Sequence, residues 1–394
     1  MFIKNGEVFT LKNGGCFEAL TIKTTDGYIR DLTTEPLLAS DPSETVIDAT
    51  GYYVIPGLVD IHFHGCDGFD FCDGTFEALD AICRYELQNG ITDICPATMT
   101  LDTDSLYRIL ENATNYCRQS QSASAHTDPL ASASTADIIG IHMEGPFISP
   151  AKKGAQNADH VIPMTKELLD AFLEKSQGLL RLMTIAPETE NALELIELYR
   201  DKLHFSIGHS EADYETALKA MEAGALHITH LYNAMPPMSH RAPGIIGAAS
   251  DTTDCMVELI CDGIHIAPSV VRATFKLFGA DNIILISDST AATGKPDGIY
   301  TLGDKPIVVK NRTAYTAENG LPTSTIAGSA TNLYDCMICA VKMGIPLSAA
   351  VKAATINPCK SIGLDKELGS IEIGKKAHLL LIDKKDLSLK QVIK

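Results

Sequence analysis

Pro56-Gly-Leu-Val-Asp-Ile-His-Phe-His64 leaves a turn dipeptide, runs through a short apolar strand and ends in two histidines. A strand of this kind, apolar on nearly every residue, is one buried on both faces, as in a parallel sheet covered by helices. Side chains alternate along a strand, so His62 and His64 point to the same side, where two imidazoles can grip one ion. The same texture recurs along the chain. Apolar runs at 58–62, 91–96, 138–144, 180–186, 204–208, 226–230, 257–262 and 283–288 are strand candidates, and helical periods at 76–88, 106–118, 166–175, 192–199, 214–223 and 270–278 follow most of them. Eight strands alternating with helices are what a (β/α)8 barrel needs, whereas simple doubly wound sheets usually have fewer.

The flanks differ in kind. Residues 2–3, 7–10, 19–23, 28–32 and 45–48 are short β-like pieces separated by Gly and Asn turns, and the texture returns at 370–373 and 377–383. Residues 1–54 plus 362–394 are therefore expected to form one small β-sandwich domain, with 55–361 as the barrel. Two stretches interrupt the barrel rhythm. Residues 119–136 are rich in Ser and Ala and read as an exposed loop without chemistry. Residues 294–324, after the eighth strand, carry Gly and Pro and read as a lid or a β extension over the site.

Composition narrows the partners. The 394 residues are 45% hydrophobic and 21% charged, as in an ordinary globular protein, and no apolar run approaches the length of a membrane span. The opening Met1-Phe-Ile-Lys-Asn-Gly-Glu lacks the apolar core of a signal peptide, so the chain is expected in the cytoplasm. A net charge of −18 argues against nucleic acid and acidic membrane surfaces, yet a few local Arg and His groups can still hold one small anion. The eleven cysteines are expected to be reduced, and the Cys336/Cys339 pair falls in a segment that reads as an amphipathic helix rather than a zinc or redox motif.

Active sites of such barrels lie at the C-terminal ends of the strands, and the polar residues cluster there. His62 and His64 end the first strand, Glu144 the third, His230 the sixth and Asp288 the eighth, while His209 follows the fifth. Neutral imidazoles with a carboxylate suit zinc or a similar divalent ion. Asp288 emerges from an apolar strand into Ser-Thr and is the candidate base that takes a proton from a metal-activated water and returns it to a leaving amine. His142 and His227 read as packing residues or supports for the ligands. Asn233, Ala234, Arg241 and His265 form a candidate anion cradle.

Taken together, PGLVDIHFHG (56–65), HMEGPFISPAKKGAQN (142–157), IGHSEADYE (207–215), HITHLYNAMPPMSHRAPG (227–244), CDGIH (261–265) and SDSTAATG (287–294) resemble the amidohydrolase superfamily and, within it, the N-acetylglucosamine-6-phosphate deacetylases. The resemblance implies that Glu144, His209 and His230 hold the main metal, with Asp288 as general base and acid. It implies that Asn233, Ala234, Arg241 and His265 bind a sugar phosphate, partly across the interface of a homodimer. Because His62 and His64 are present, one or two ions are expected, most simply Zn2+, with Fe2+ or another divalent ion as alternatives. Gln156 stands where some members carry a histidine that contacts the substrate carbonyl. The implied reaction is deacetylation of N-acetyl-D-glucosamine 6-phosphate in amino-sugar catabolism. The alternatives are the galactosamine epimer as substrate, a cyclic-amide or urea hydrolase of the same superfamily, and a sugar-phosphate sensor without catalysis.

Overall fold

Parallel strands follow the apolar runs in a computed structural model of the chain, which describes residues 1–34, 44–124 and 135–394. A seven-stranded sheet is wholly parallel and follows chain order: Ala97–Thr98, Ile141–Glu144, Leu180–Ile185, His204–Ile207, His227–Ile228, Met256–Ile260 and Ile283–Ile286. Leu58–Asp60, Ile91–Ile94 and Asp137–Ile138 form a second parallel sheet. Backbone bonds join the two at both margins, with Ala97 N donating to Phe63 O at 2.7 Å and Asp288 N to His62 O at 2.9 Å. The result is a mixed α/β fold whose parallel sheet curls until the segment after its last strand lies beside the segment after its first.

Alternation along the strands sorts the core. Val59, Ile61, Cys95, Leu182, Met256, Ile260, Ile284 and Ile286 pack together on one face, with Cys359, Ile362 and Leu368 closing the cluster. Leu58, Ile94, Val257, Leu259, Ile283 and Leu285 face the other way, into the helical layer. Helices begin where a short polar side chain can satisfy a free N–H. Thr75 accepts from Ala78 N ahead of Phe76–Gln88, Thr165 from Leu168 N ahead of Lys166–Ser176, and Asp213 from Thr216 N ahead of Tyr214–Ala223.

Several boundaries move. The helix expected at 106–118 spans Thr103–Ser124, so the front of the 119–136 stretch is helical and not loop; residues 125–134 of that stretch lie outside the described residues. Gly244–Asp251 is a helix that no periodicity marked. An antiparallel four-stranded sheet, Gly298–Leu302, Lys305–Lys310, Thr313–Glu318 and Leu321–Ile326, occupies most of 294–324 and runs two residues past it, which makes the stretch a β extension. At the C-terminus the strands are Leu379–Asp383 and Leu389–Ile393, whereas 370–373 forms none.

The terminal segments share one sheet, in the order Leu389–Ile393, Leu379–Asp383, Tyr52–Pro56, Phe2–Thr10, Cys16–Thr25 and Tyr28–Thr33, with Val46–Asp48 pairing beside Phe2–Thr10. All eleven cysteines are free, and Cys336 and Cys339 lie on the helix Leu333–Lys342. No helix among the described residues is long and apolar enough to cross a membrane.

Candidate metal centre

Strands deliver their last residues to one mouth of the curled sheet. There a cavity of about 470 Å³ is lined by His64, Glu144, Gln156, His209, His230, Asn233, Ala234, His265 and Asp288, with Leu302, Ser324, Thr325 and Ile326 contributed by the β extension. His62 lies just beneath, fully buried. Arg241 is exposed, on the segment before the helix Gly244–Asp251, and does not line the cavity.

Glu144 is the centre of the arrangement. Its Oε1 stands 3.1 Å from His209 Nε2 and 3.0 Å from His230 Nε2, and these two nitrogens are 3.1 Å apart. The same oxygen is 3.4 Å from His62 Nε2, while Oε2 is 3.4 Å from His64 Nε2. Asp288 Oδ1 lies 3.3 Å from His64 Nε2 and 3.8 Å from His62 Nε2. The donor atoms therefore form two adjoining groups, Glu144/His209/His230 and His62/His64/Asp288, each within 4.8 Å. His62 Nε2 is buried and makes no hydrogen bond of ordinary geometry. One carboxylate in each group among inward-pointing imidazoles is the ligand chemistry of zinc and its neighbours, so the residues fit a divalent cation.

The rings are aimed by their other nitrogens. His209 Nδ1 donates to Lys152 O at 2.8 Å and His64 Nδ1 to Ala97 O at 3.2 Å, which leaves each Nε2 free to face the carboxylates. Backbone strain contributes too. His209, His230 and Asp288 have φ of 48°, 29° and 49°, values that non-glycine residues seldom adopt and that concentrate at functional sites.

The electrostatics of the pocket are those of a cation trap. Burial opposes a charge on His64, but the hydrogen bonds and charges of Asp288 and Glu144 outweigh it and push its pKa up to about 10. Burial likewise opposes ionisation of Asp288, yet the His64 hydrogen bond and the His62 charge hold its pKa below the usual carboxylate range. In contrast His142, buried and beside His62, is driven down to about 3 and stays neutral; its Nδ1 donates to Ile61 O at 3.1 Å and its Nε2 accepts from Thr184 Oγ1 at 2.7 Å.

Gln156 was expected beside the substrate carbonyl. It does line the cavity, but its Nε2 donates to Glu144 Oε2 at 2.5 Å and its Oε1 accepts from Thr100 N at 2.6 Å, so both ends of the amide are engaged by protein. Lys152 and Glu258 meet these residues without having been marked in the sequence, Lys152 O accepting from His209 Nδ1 and Glu258 Oε2 from His62 Nδ1, both at 2.8 Å. Lys152 acts through a carbonyl, which leaves no trace in sequence; Glu258 was visible as a lone carboxylate inside the apolar run Met256–Ile260.

The amidohydrolase family model matches residues 53–394. The chain belongs to the amidohydrolase family. The N-acetylglucosamine-6-phosphate deacetylase of Bacillus subtilis (strain 168) is 33% identical over 361 residues, 91% of this chain and 87% of its own length. An N-acetylgalactosamine-6-phosphate deacetylase of Escherichia coli O157:H7 is 28% identical over 376 residues, 95% of this chain and 93% of its own length. Among solved structures, an aspartate-to-alanine variant of N-acetyl-D-glucosamine-6-phosphate deacetylase from Mycobacterium smegmatis, in complex with N-acetyl-D-glucosamine-6-phosphate, superposes with a TM-score of 0.87 at 29% identity, covering 100% of this chain and 97% of that one. As an amidohydrolase, this protein is a metal-dependent hydrolase whose clusters of His, Glu and Asp suit the metal.

Proposed function

We propose that this amidohydrolase removes the acetyl group of N-acetyl-D-glucosamine 6-phosphate, giving D-glucosamine 6-phosphate and acetate in amino-sugar metabolism. The observation that carries the reading is the placement of a carboxylate held ionised, Asp288, beside the Glu144/His209/His230 group on one cavity floor. Glu144, His209 and His230 hold the main ion, with His62 and His64 able to hold a second; zinc fits this donor set best. A divalent cation there supplies Lewis acidity, which makes water nucleophilic at neutral pH and polarises the acetyl carbonyl.

Asp288 accepts the proton of the attacking water and passes it to the departing amine. Asn233, Ala234 and His265 line the cavity and receive the phosphate. Burial opposes a charged His265, but the Asp262 hydrogen bond at 2.8 Å raises its pKa, which favours an anion-binding imidazolium. Arg241, exposed and away from the cavity in a single chain, serves the phosphate site across a homodimer interface. Gln156 acts mainly by holding Glu144. The fold reading beneath this is a (β/α)8 barrel over 55–361, closed by the backbone bonds between the first and last parallel strand ends, with 1–54 and 362–394 as a small β-sandwich domain and the enzyme residing in the cytoplasm.

Acetate release from N-acetylglucosamine 6-phosphate, measured before and after chelation and again after zinc add-back, tests the reaction and the site together. Release that disappears on chelation and returns with zinc supports the reading; no release under any divalent metal, with the sugar phosphate still bound, turns the chain into a sensor. A second substrate is favoured by the similarity to the N-acetylgalactosamine-6-phosphate deacetylase over nearly the whole chain. Paired assays of the two epimers separate them.

A further inference from the structure

Glu258 sits in the middle of Met256–Ile260, on the same face as Met256 and Ile260, and is fully buried. It does not line the cavity. A carboxylate taken out of water costs several kcal/mol unless its lone pairs are satisfied, so its partners indicate what it is there to hold. There are three. His62 Nδ1 donates to Oε2 at 2.8 Å, the backbone N–H of His230 donates to the same oxygen at 3.0 Å, and His227 Nε2 donates to Oε1 at 3.0 Å. His227 Nδ1 accepts in turn from Ser361 Oγ at 2.5 Å, so the ring orientation is fixed from outside.

Two of these bonds have a consequence at the mouth of the sheet. In the neutral ring that a cation requires, a proton on His62 Nδ1 leaves Nε2 as the lone-pair nitrogen, and that is the buried atom with no hydrogen bond, 3.4 Å from Glu144 Oε1. The bond to His230 N restrains the backbone at a residue whose φ is 29°. One side chain thereby ties the first strand end to the sixth, the two that bring His62 Nε2 and His230 Nε2 to the same oxygen of Glu144, at 3.4 and 3.0 Å.

We propose that Glu258 is a positioning residue, which sets the tautomer of His62 and the backbone at His230 so that both present Nε2 to the cation. The inference rests on the metal-centre reading. It is tested by titrating chelator-stripped protein with Co2+ and following visible absorption, a readout independent of turnover. Glu258→Gln keeps the shape but places an NH2 where one donor must be accepted, and the expected result is a roughly 10- to 100-fold weaker Co2+ affinity with a shifted spectrum. Wild-type affinity and spectrum in that variant would overturn the proposal. Absence of Co2+ uptake by the wild type overturns the metal-centre reading itself, a distinguishable failure. Should the variant not fold, 15N-histidine NMR of the zinc-loaded wild type, with His62 assigned through His62→Gln, decides the matter. A protonated Nδ1 on His62 supports the proposal, and an unprotonated Nδ1 refutes it.

Discussion

Asp288 is held ionised by two imidazoles, at a backbone torsion that keeps its carboxylate turned into the cavity. Asp288→Asn keeps the shape and removes the proton acceptor, so turnover should fall by roughly 10²- to 10⁴-fold while bound metal, read by atomic absorption, stays near wild type. Loss of the metal would instead make Asp288 chiefly a ligand. Gln156→Leu should behave differently. With no donor for Glu144 Oε2, the variant is expected to lose metal roughly 10-fold more readily to a chelator, and its kcat should recover as zinc is raised. At this scale the sequence was informative because strand ends expose their identity: a polar residue at the end of an apolar run has nowhere to point except the mouth. His62, His64, Glu144, His209, His230 and Asp288 are brought together for that reason. Torsions of 29° to 49°, and a carbonyl such as that of Lys152, are set by tertiary context and leave no residue-type signal.

Elements were legible in proportion to their amphipathicity. Phe76–Gln88 and Tyr214–Ala223 carry a clear apolar stripe and a capping side chain, and both were placed to the residue. Gly244–Asp251 has residues 244–249 buried all round, so it shows no stripe, and its two glycines disguise it further. The end of Thr103–Ser124 fails in the opposite sense, since the sequence Gln-Ser-Gln-Ser at 119–122 offers no apolar residue to set a period. The first helix also carries a pH dependence. Burial pushes Glu86 up to about 8 from an ordinary 4.5, and its Oε2 has no hydrogen-bond partner. Between those values the unfolded chain has released a proton that the folded chain retains, so this group lowers stability as pH rises from about 4.5 to about 8. Glu86→Gln should accordingly match wild type in melting temperature at pH 5 and exceed it by roughly 2–5 °C at pH 8, by calorimetry. Strand ends are equally tight. A Cβ on Gly208 would lie 2.5 Å from Thr229 Cβ and 2.9 Å from Thr184 Cγ2. Gly208→Ala should cost about 1–3 kcal/mol in urea unfolding and, because His209 is next in the chain, reduce turnover as well.

For the whole molecule, the acidic balance and the anionic substrate proposed above are reconciled locally. A chain of −18 would offer that anion a cavity with Lys152 and His265 on its walls, and the remote negative charge is screened within about 10 Å at ordinary salt. The shared terminal sheet has its own test. Deleting residues 389–394 removes the edge strand beside Leu379–Asp383 and the Lys394 bonds to Asp137 Oδ1 and Thr135 O, both 2.6 Å. Such a truncation should lower the melting temperature and raise dye binding to exposed apolar surface, while the remaining folded fraction still releases acetate. That sheet also governs the order in which the protein can be completed during its synthesis. Phe2–Thr10 finds its partners within residues 16–56, but one edge of Tyr52–Pro56 is covered only by Leu379–Asp383, so that edge waits for more than 300 further residues to be made. At about 5–20 residues per second, that interval is roughly 16–65 s, during which the open edge of Tyr52–Pro56 depends on neighbours, or on a chaperone, to stay unpaired with other chains.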